Sequence, residues 1–266
     1  MKILCLAKFV PDVEQIGYDY ERNVLIRKGV PTILNPEDAT ALANALALKA
    51  RVPEAIVETI SMSPRSVMPH VEDCIRRGVD RATLLTDPAF VGSDTWATSL
   101  ILSAAIRNMA FDFIFTGTHT LDGGTAHIPA QVAELLDLAH LSQVVDLDAD
   151  SLLHGPARVD VDDEEAIFTF EVDPPAVFGF AYSPNPRLPY ISLENAERDV
   201  SDQINILTND QLQLDPASVG SAGSRTKVSG VEIETLEKKE SVIVGTDPDG
   251  IETVYQFLKK AGMQAR

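Results

Sequence analysis

The chain has 266 residues, 45% of them hydrophobic and 23% charged, and its 40 acidic against 22 basic side chains give a formal net charge of −18. A polyanion of this kind is repelled by nucleic acid and by anionic lipid, so neither is an expected partner. The longest apolar opening, residues 3–7, is too short for a membrane span or a signal-peptide core, and we expect a cytoplasmic protein without membrane insertion.

The first 30 residues predict a buried strand and a small hairpin. Residues 2–9 form a short apolar run that ends before a Val-Pro-Asp turn. Residues 17–29 then alternate between polar and apolar side chains, with a glycine at each end. This alternation predicts a hairpin inserted before the first helix.

The start of the first helix is strongly specified. Asn35 is a favoured N-cap residue, and Pro36 fits the first helical position. Glu37 and Asp38 favour the positive end of the helix dipole. We therefore expect a helix from Pro36 onward.

Strands and helices alternate from there to residue 140. Strands are predicted at residues 54–63, 81–87 and 111–117, and helices at 64–78, at 92–110 with Ser93 or Asp94 as cap, and after Thr125. Apolar strands separated by helices are typical of a parallel sheet covered on both faces. The expected fold class is a doubly wound, mostly parallel α/β sheet.

The pattern changes after residue 140. Residues 142–183 have the alternation and turn residues of antiparallel strands, with a return strand at 175–180, and no further helix is expected there. We expect an α/β domain over residues 1–195 and an extended arm over residues 196–266, because apolar side chains in the arm are too scattered for a core. The arm ends in an amphipathic helix, which needs a surface that another chain can supply.

Catalytic and metal-binding patterns are scarce. The sequence contains no GxGxxG, GxxxxGK[ST], GxSxG or HExxH motif. The five histidines form no i, i+4 pair, and the acidic run at residues 160–166 fits a solvated turn better than a calcium loop. Cys5 and Cys74 lie in apolar segments that favour buried thiols. We expect no metal and no catalytic residues.

One stretch, residues 115–138, combines features of a ligand site. Gly117 ends a strand, while Gly123, Gly124 and Thr125 precede a helix whose first amides can bind an anion. Ligands of open α/β sheets bind where the winding reverses, which would place the first strand beside the strand that ends at Gly117. The sequence leaves open whether a nucleotide phosphate binds there or these residues only cap a helix.

A second helix start has a similar composition. Asp94, Thr95 and Thr98 crowd its first turn and offer hydroxyl donors. The same two interpretations, phosphate binding and capping, apply.

Several segments in succession resemble the beta subunits of electron transfer flavoproteins, a group that includes FixA. They are AKFVPD, GVPTILNPEDATALANALALK, ISMSP, RRGVDRATLLTD, TGTHTLDGGTAHIPAQVAELL and PPAVFGF…NPRLPYISLENA. The similarity covers roughly residues 1–200 in order. It implies an α/β fold related to adenine-nucleotide-binding domains of the alpha-hydrolase type.

The resemblance implies a heterodimer with an alpha subunit that holds a redox FAD, while the beta subunit binds an adenine nucleotide and wraps its arm around the partner. The nucleotide is AMP in simple carriers and a second FAD, reduced by NADH, in electron-bifurcating members. Carried over by position, the implied cofactor-binding residues are Leu6, Asn35, Pro36, Glu37, Asp38, Met62, Asp94, Thr95, Thr98, Gly117, Thr118, Asp122, Gly123, Gly124, Thr125, Ala126, His127 and Ile128. Family members commonly have a carboxylate in place of Gly124 and a glutamine in place of His127.

The resemblance also implies a loop that docks partner dehydrogenases. It falls on NPRLPYISLENA, with Pro186 and Arg187 in the loop and Ile191 as an exposed aliphatic anchor. The implied role is an electron carrier between dehydrogenases of the acyl-CoA or a similar type and a quinone reductase or other acceptor. Such a carrier is not a stand-alone enzyme, although an FAD in the beta subunit would add oxidation of NADH.

An alternative of another class is a stand-alone adenine-nucleotide-binding protein of the universal-stress type. That protein would share the fold class, but it would have no use for a long arm or a docking loop. An ATP-using ligase would need a glycine-serine loop directly after the first strand, and AKFVPD offers none.

Overall fold

The structure is a computed structural model that describes residues 1–12, 17–19, 24–26, 29–227 and 242–262. The chain divides into two compact units, Met1–Lys227 and Val228–Arg266. Part of the expected arm, residues 228–241, lies outside the described residues.

The strands of the first unit are mostly short and apolar. In chain order the described strands are β1 (Lys2–Leu6), β2 (Phe9–Pro11), β3 (Gly17–Asp19), β4 (Val24–Ile26), β5 (Thr32–Leu34), β6 (Ile56–Met62), β7 (Arg81–Leu85), β8 (Phe113–Gly117), β9 (Ala139–Leu147), β10 (Ala157–Asp162), β11 (Ile167–Val172), β12 (Ala176–Phe180) and β13 (Ile204–Leu207). Nine of them form one sheet in the order β11-β10-β9-β12-β8-β1-β6-β7-β13. The predicted hairpin is present as the antiparallel pair β3 and β4.

The described helices differ widely in length. They are α1 (Pro36–Arg51), α2 (Met68–Arg76), α3 (Thr95–Ile106), α4 (His127–Leu136), α5 (Ser151–His154), α6 (Leu193–Ala196), α7 (Asn209–Leu212), α8 (Gly220–Gly223) and α9 (Pro248–Lys260). Within the described parts of the chain, no helix has both the length and the apolar content needed to cross a bilayer.

The winding of the sheet reverses between β1 and β8. β1 pairs in parallel with β6 on one side and with β8 on the other, and β6 continues to β7 while β8 continues to β12. This is the doubly wound arrangement that the sequence predicts. Its carboxyl-terminal edge leaves a crevice at the reversal point, where open α/β sheets bind ligands.

Helices cover both faces of the sheet, because its central strands are buried on both sides. In β1, Ile3 and Cys5 pack in a cluster with α1 and α2. Leu4 and Leu6 pack with α3 and α4 on the opposite face. Cys5 and Cys74 are both buried, as predicted, and burial raises the pKa of each thiol well above its usual value.

The antiparallel addition is confirmed, with one correction. β9, β10 and β11 form an antiparallel extension, and β12 returns as a strand parallel to β8 and β9. The expectation that helices end at residue 140 is wrong, because α5 connects β9 with β10. This helix has a single turn and lacks the length that a periodic pattern needs to be recognised.

The predicted start of the arm at residue 196 also needs correction. β13 lies within the predicted arm, but it pairs in parallel with β7 at the edge of the main sheet. Val200 and Val219 are each 1% exposed and belong to the core of the first unit. Compact packing therefore continues to Lys227.

Candidate functional site

A cavity of about 360 Å³ lies at the carboxyl ends of β1, β6 and β8, beside the first turns of α3 and α4. We call this cavity the cleft. It is lined by thirteen of the residues predicted to bind a cofactor: Leu6, Asp38, Met62, Asp94, Thr95, Thr98, Gly117, Thr118, Gly123, Thr125, Ala126, His127 and Ile128. The structure thus brings together residues that are more than 100 positions apart in the sequence.

The other five predicted residues, Asn35, Pro36, Glu37, Asp122 and Gly124, do not line the cleft. Asn35 is buried and takes the N-cap position of α1, but its side chain does not cap that helix. Its amide donates to the His119 carbonyl at 2.7 Å, and its Oδ1 accepts from the Leu121 amide at 3.1 Å. Glu37 accepts a hydrogen bond from the His119 amide. These two side chains hold the loop after β8 in place, and Pro36 begins α1.

Asp38 ties the ends of β1 and β8 together. Its carboxylate accepts hydrogen bonds from the amides of Lys8 and Gly117, each at 2.8 Å. Burial raises the pKa of Asp38 to about 7, against the opposing effect of these two hydrogen bonds. A β-carbon on Gly117 would lie 2.7 Å from the Asp38 carboxylate, so only glycine permits this approach.

The loop from Thr118 to Ala126 forms one rim of the cleft. The Lys8 ammonium contacts the Asp122 carboxylate at 2.7 Å. Although partial burial acts to raise the pKa of Asp122, hydrogen bonds from Lys8 and Thr120 lower it below its usual value. Gly124 has a φ of +59°, a left-handed conformation that favours glycine.

The first turn of α3 forms the opposite rim. Asp94 caps this helix, because its Oδ1 accepts from the Ala97 amide at 3.0 Å. Burial acts to raise the pKa of Asp94, but hydrogen bonds from Ala97 and Thr226 lower it below its usual value. The Thr95 hydroxyl lies 3.3 Å from His127 Nδ1, which joins the starts of α3 and α4.

The cleft has an apolar side and a polar side. Leu6, Ile60, Met62, Leu102 and Ile128 supply the apolar surface. Thr95, Thr98, Thr118, Thr120 and Thr125 supply hydroxyl groups, and the amides that begin α3 and α4 are natural anion donors. Such a surface can hold a planar apolar group together with a phosphate.

Sequence reasoning missed several lining residues. They are Ala7, Lys8, Ile60, Ser61, Ser93, Leu102, Thr116 and Pro129. Most of them lie at or next to the carboxyl ends of predicted strands, which is the one signal that could have identified them. Among the described residues there is no group of three or more His, Cys, Asp or Glu side chains placed to hold a metal ion.

A wider groove of about 830 Å³ adjoins the cleft and shares Met62 with it. It lies at the carboxyl ends of β6, β7 and β13. Pro64, Arg65, Phe90 and Thr208 are among its lining residues. No sequence pattern predicts this groove.

The side chains of the predicted docking loop differ in exposure. Ile191 and Pro186 are half-buried, whereas Arg187 is exposed. Tyr190 and Leu193 are 89% and 96% exposed. Ile191, the expected aliphatic anchor, is thus only partly exposed, and Leu193 is the more exposed aliphatic side chain of this segment.

Within the second unit, α9 carries an apolar face that no described residue of that unit covers. Its large exposed side chains are Ile251, Val254, Tyr255, Phe257 and Leu258. Asp247 caps the helix, with its Oδ1 accepting from the Gly250 amide at 2.7 Å. The predicted amphipathic helix is present.

Comparison with known proteins gives consistent matches. The family model for the electron transfer flavoprotein domain matches residues 22–201. An electron transfer flavoprotein subunit beta from Thermoanaerobacterium thermosaccharolyticum is 34% identical over 262 residues, which is 97% of this chain and 98% of the relative. The caffeyl-CoA reductase-Etf complex subunit CarD of Acetobacterium woodii is 35% identical over 86% of each chain. Protein FixA of Azotobacter vinelandii is 41% identical over 55% of this chain and 54% of its own length.

Proposed function

This chain belongs to the electron transfer flavoprotein family, among the relatives of its beta subunits, and we propose that it forms a heterodimer with an alpha subunit that holds a redox FAD. In this role it carries electrons from dehydrogenases, of the acyl-CoA or a similar type, to a quinone reductase or another acceptor. The bound flavin supplies the electron-transfer chemistry, and this chain supplies binding and docking surfaces.

The second part of the proposal is that the cleft binds an adenine nucleotide. The observation that carries it is the meeting of two helix N-termini, α3 and α4, at the reversal point of the sheet. The apolar side of the cleft suits an adenosine, and the hydroxyls of Thr95, Thr98 and Thr125 suit a phosphate. The Asp38 carboxylate does not oppose this fit, because its two oxygens accept from the Lys8 and Gly117 amides.

Both AMP and FAD contain the adenylate group that the cleft would hold. A volume of about 360 Å³ lies in the range of small-ligand sites and suits the adenylate alone. The adjoining groove, which shares Met62, offers space for the rest of an FAD. AMP would make the heterodimer a simple carrier, whereas a second FAD would favour bifurcation with NADH.

The docking proposal rests on exposed side chains outside the cleft. Tyr190 and Leu193 offer apolar anchors for a transient partner, and redox encounters commonly use small interfaces. The apolar face of α9 offers a surface for a stable partner, which we assign to the alpha subunit. A stand-alone nucleotide sensor of the universal-stress type is the second candidate, but it would leave both surfaces without a role.

The test is to co-express the chain with its alpha partner, denature the purified complex, and quantify the released nucleotides by chromatography. One FAD and one AMP per heterodimer would indicate a simple carrier, and two FAD without AMP would indicate bifurcation. A complex that releases no nucleotide from this chain would contradict the proposed site.

The Gly123→Val variant tests whether that nucleotide binds in the cleft. A β-carbon on Gly123 would come no closer than 3.5 Å to its nearest neighbour, Thr120, so the chain can still fold while the valine adds bulk to the cleft wall. We expect the nucleotide of this chain to fall at least tenfold. Gly155→Val is the matched control, because no heavy atom lies within 4 Å of a β-carbon there. Unchanged nucleotide content in Gly123→Val would show that the loop is wrongly placed.

A further inference from the structure

Residues 219–226, just before the second unit begins, lie directly against the loop that leads into α3. The Ser221 amide donates to the Val91 carbonyl at 3.0 Å. Gly220 has a φ of +58°, and a β-carbon there would lie 2.2 Å from the Ala89 carbonyl oxygen. Only a glycine allows so close an approach, so this contact is specified by the sequence.

Three residues of the same segment, Ser224, Arg225 and Thr226, contact the start of α3. Asp94 Oδ2 accepts from the Thr226 amide at 2.8 Å and from the Thr226 hydroxyl at 2.9 Å. The Asp94 amide donates to the Ser224 hydroxyl at 2.8 Å. The Arg225 guanidinium lies 3.7 Å from the centre of the Trp96 ring. We call these five residues the clasp.

The clasp is built on the rim of the cleft. Asp94 lines the cleft together with Thr95 and Thr98, which are proposed to meet the phosphate. A carboxylate is a poor neighbour for a phosphate, because the two repel each other. The two hydrogen bonds from Thr226 hold Oδ2 on the side of the rim that faces residues 219–226, and they stabilise its negative charge there.

We propose that the clasp couples two events, with Asp94 as the positioning residue. One is the attachment of residues 219–226, from which the arm continues after Lys227, and the other is nucleotide binding in the cleft. The inference rests on the proposed nucleotide site. With the clasp closed, the Asp94 carboxylate is held by Thr226 and the first turn of α3 is fixed for a phosphate. With the clasp open, only the Ala97 amide still holds the carboxylate through Oδ1, so Oδ2 can turn toward the cleft and repel the phosphate.

Because binding linkage is reciprocal, nucleotide in the cleft must favour the closed clasp as much as the clasp favours nucleotide. The second unit begins at residue 228 and includes α9, the helix of this chain whose apolar face is proposed to bind the alpha subunit. A partner that fixes the arm would thereby strengthen retention of the nucleotide, and loss of the nucleotide would loosen the start of the arm.

The single tryptophan of the chain, Trp96, makes the clasp directly observable. The experiment titrates AMP into the full-length chain stripped of nucleotide, and follows binding by calorimetry and the clasp by Trp96 fluorescence. The test variant is Arg225→Ala combined with Thr226→Val. The matched control is Lys227→Ala, which removes one positive charge beside the clasp and takes no part in it.

We expect AMP to change Trp96 emission in the unmodified chain at the same concentrations at which heat is released. The double variant should bind AMP about fivefold more weakly and lose the fluorescence response. Lys227→Ala should retain both within twofold. If the double variant binds AMP as tightly as the control, or if AMP binds without any change in emission, the coupling is overturned while the nucleotide site stands. If AMP fails to bind the unmodified chain, the nucleotide site is overturned and the coupling with it.

Discussion

At the scale of single residues, several buried or partly buried side chains hold the backbone around the cleft in place through hydrogen bonds. Asp38 accepts from amides that are 30 and 79 positions away in sequence, and so fixes the two strand ends that flank the cleft. Asn35 and Glu37 do the same for the loop after β8. We therefore expect a substitution at these positions to change the shape of the cleft.

Asp38 predicts a specific dependence of stability on pH. Its pKa rises from 3.8 in the unfolded chain to about 7 in the fold, so the folded state binds the proton more tightly. The free energy of unfolding should therefore be highest below pH 4 as far as this group is concerned. It should fall as the pH rises toward 7, by at most about 1.4 kcal/mol per pH unit.

Asp38→Asn removes this titration. Urea unfolding of both proteins between pH 4 and 8 should show the unmodified chain losing stability relative to the variant as the pH rises toward 7. Every other titratable group is common to the two proteins, so the difference isolates Asp38. Parallel pH profiles would contradict the raised pKa.

At the scale of elements, the main sheet extends farther along the chain than the sequence predicts. β13 is added beyond β7, and Val200 and Val219 are buried in the first unit. Removing residues from 200 onward would therefore expose an edge of the sheet and remove buried apolar side chains. Removing residues from 228 onward would leave the first unit intact.

We predict different outcomes for two truncations. A chain that ends at Lys227 should unfold cooperatively near the midpoint of the full chain and fail to bind the alpha subunit. A chain that ends at Asp199 should lose several kcal/mol of stability, since it forfeits the burial of whole apolar side chains. Thermal unfolding and co-purification measure the two properties. A stable heterodimer formed by the chain ending at Lys227 would disprove the role assigned to the arm.

The sequence predicted what depends on local pattern. The apolar runs of β1 and β8, their separation by helices, and the capped start of α3 all follow from periodicity and capping. β13 was missed because its four residues, INIL, are too few to show a period within a polar segment. The role of Asn35 was missed because its hydrogen-bond partners lie 84 and 86 positions away, and only the folded chain brings them within reach.

At the scale of the whole molecule, three surfaces of this chain have separate proposed roles. The cleft suits an adenine nucleotide, Tyr190 and Leu193 suit a transient redox partner, and α9 suits a permanent subunit. A carrier of electrons needs a cofactor and exchangeable docking, and it needs no general acid or base.

The most direct measurement is to co-express this chain with its alpha partner and record the mass and the visible spectrum of the purified species before and after anaerobic reduction by dithionite. The account predicts a one-to-one heterodimer with flavin absorbance that bleaches on reduction and returns when an electron acceptor is added. A chain that purifies alone, with a nucleotide but without flavin, would contradict the account and favour a stand-alone nucleotide-binding protein.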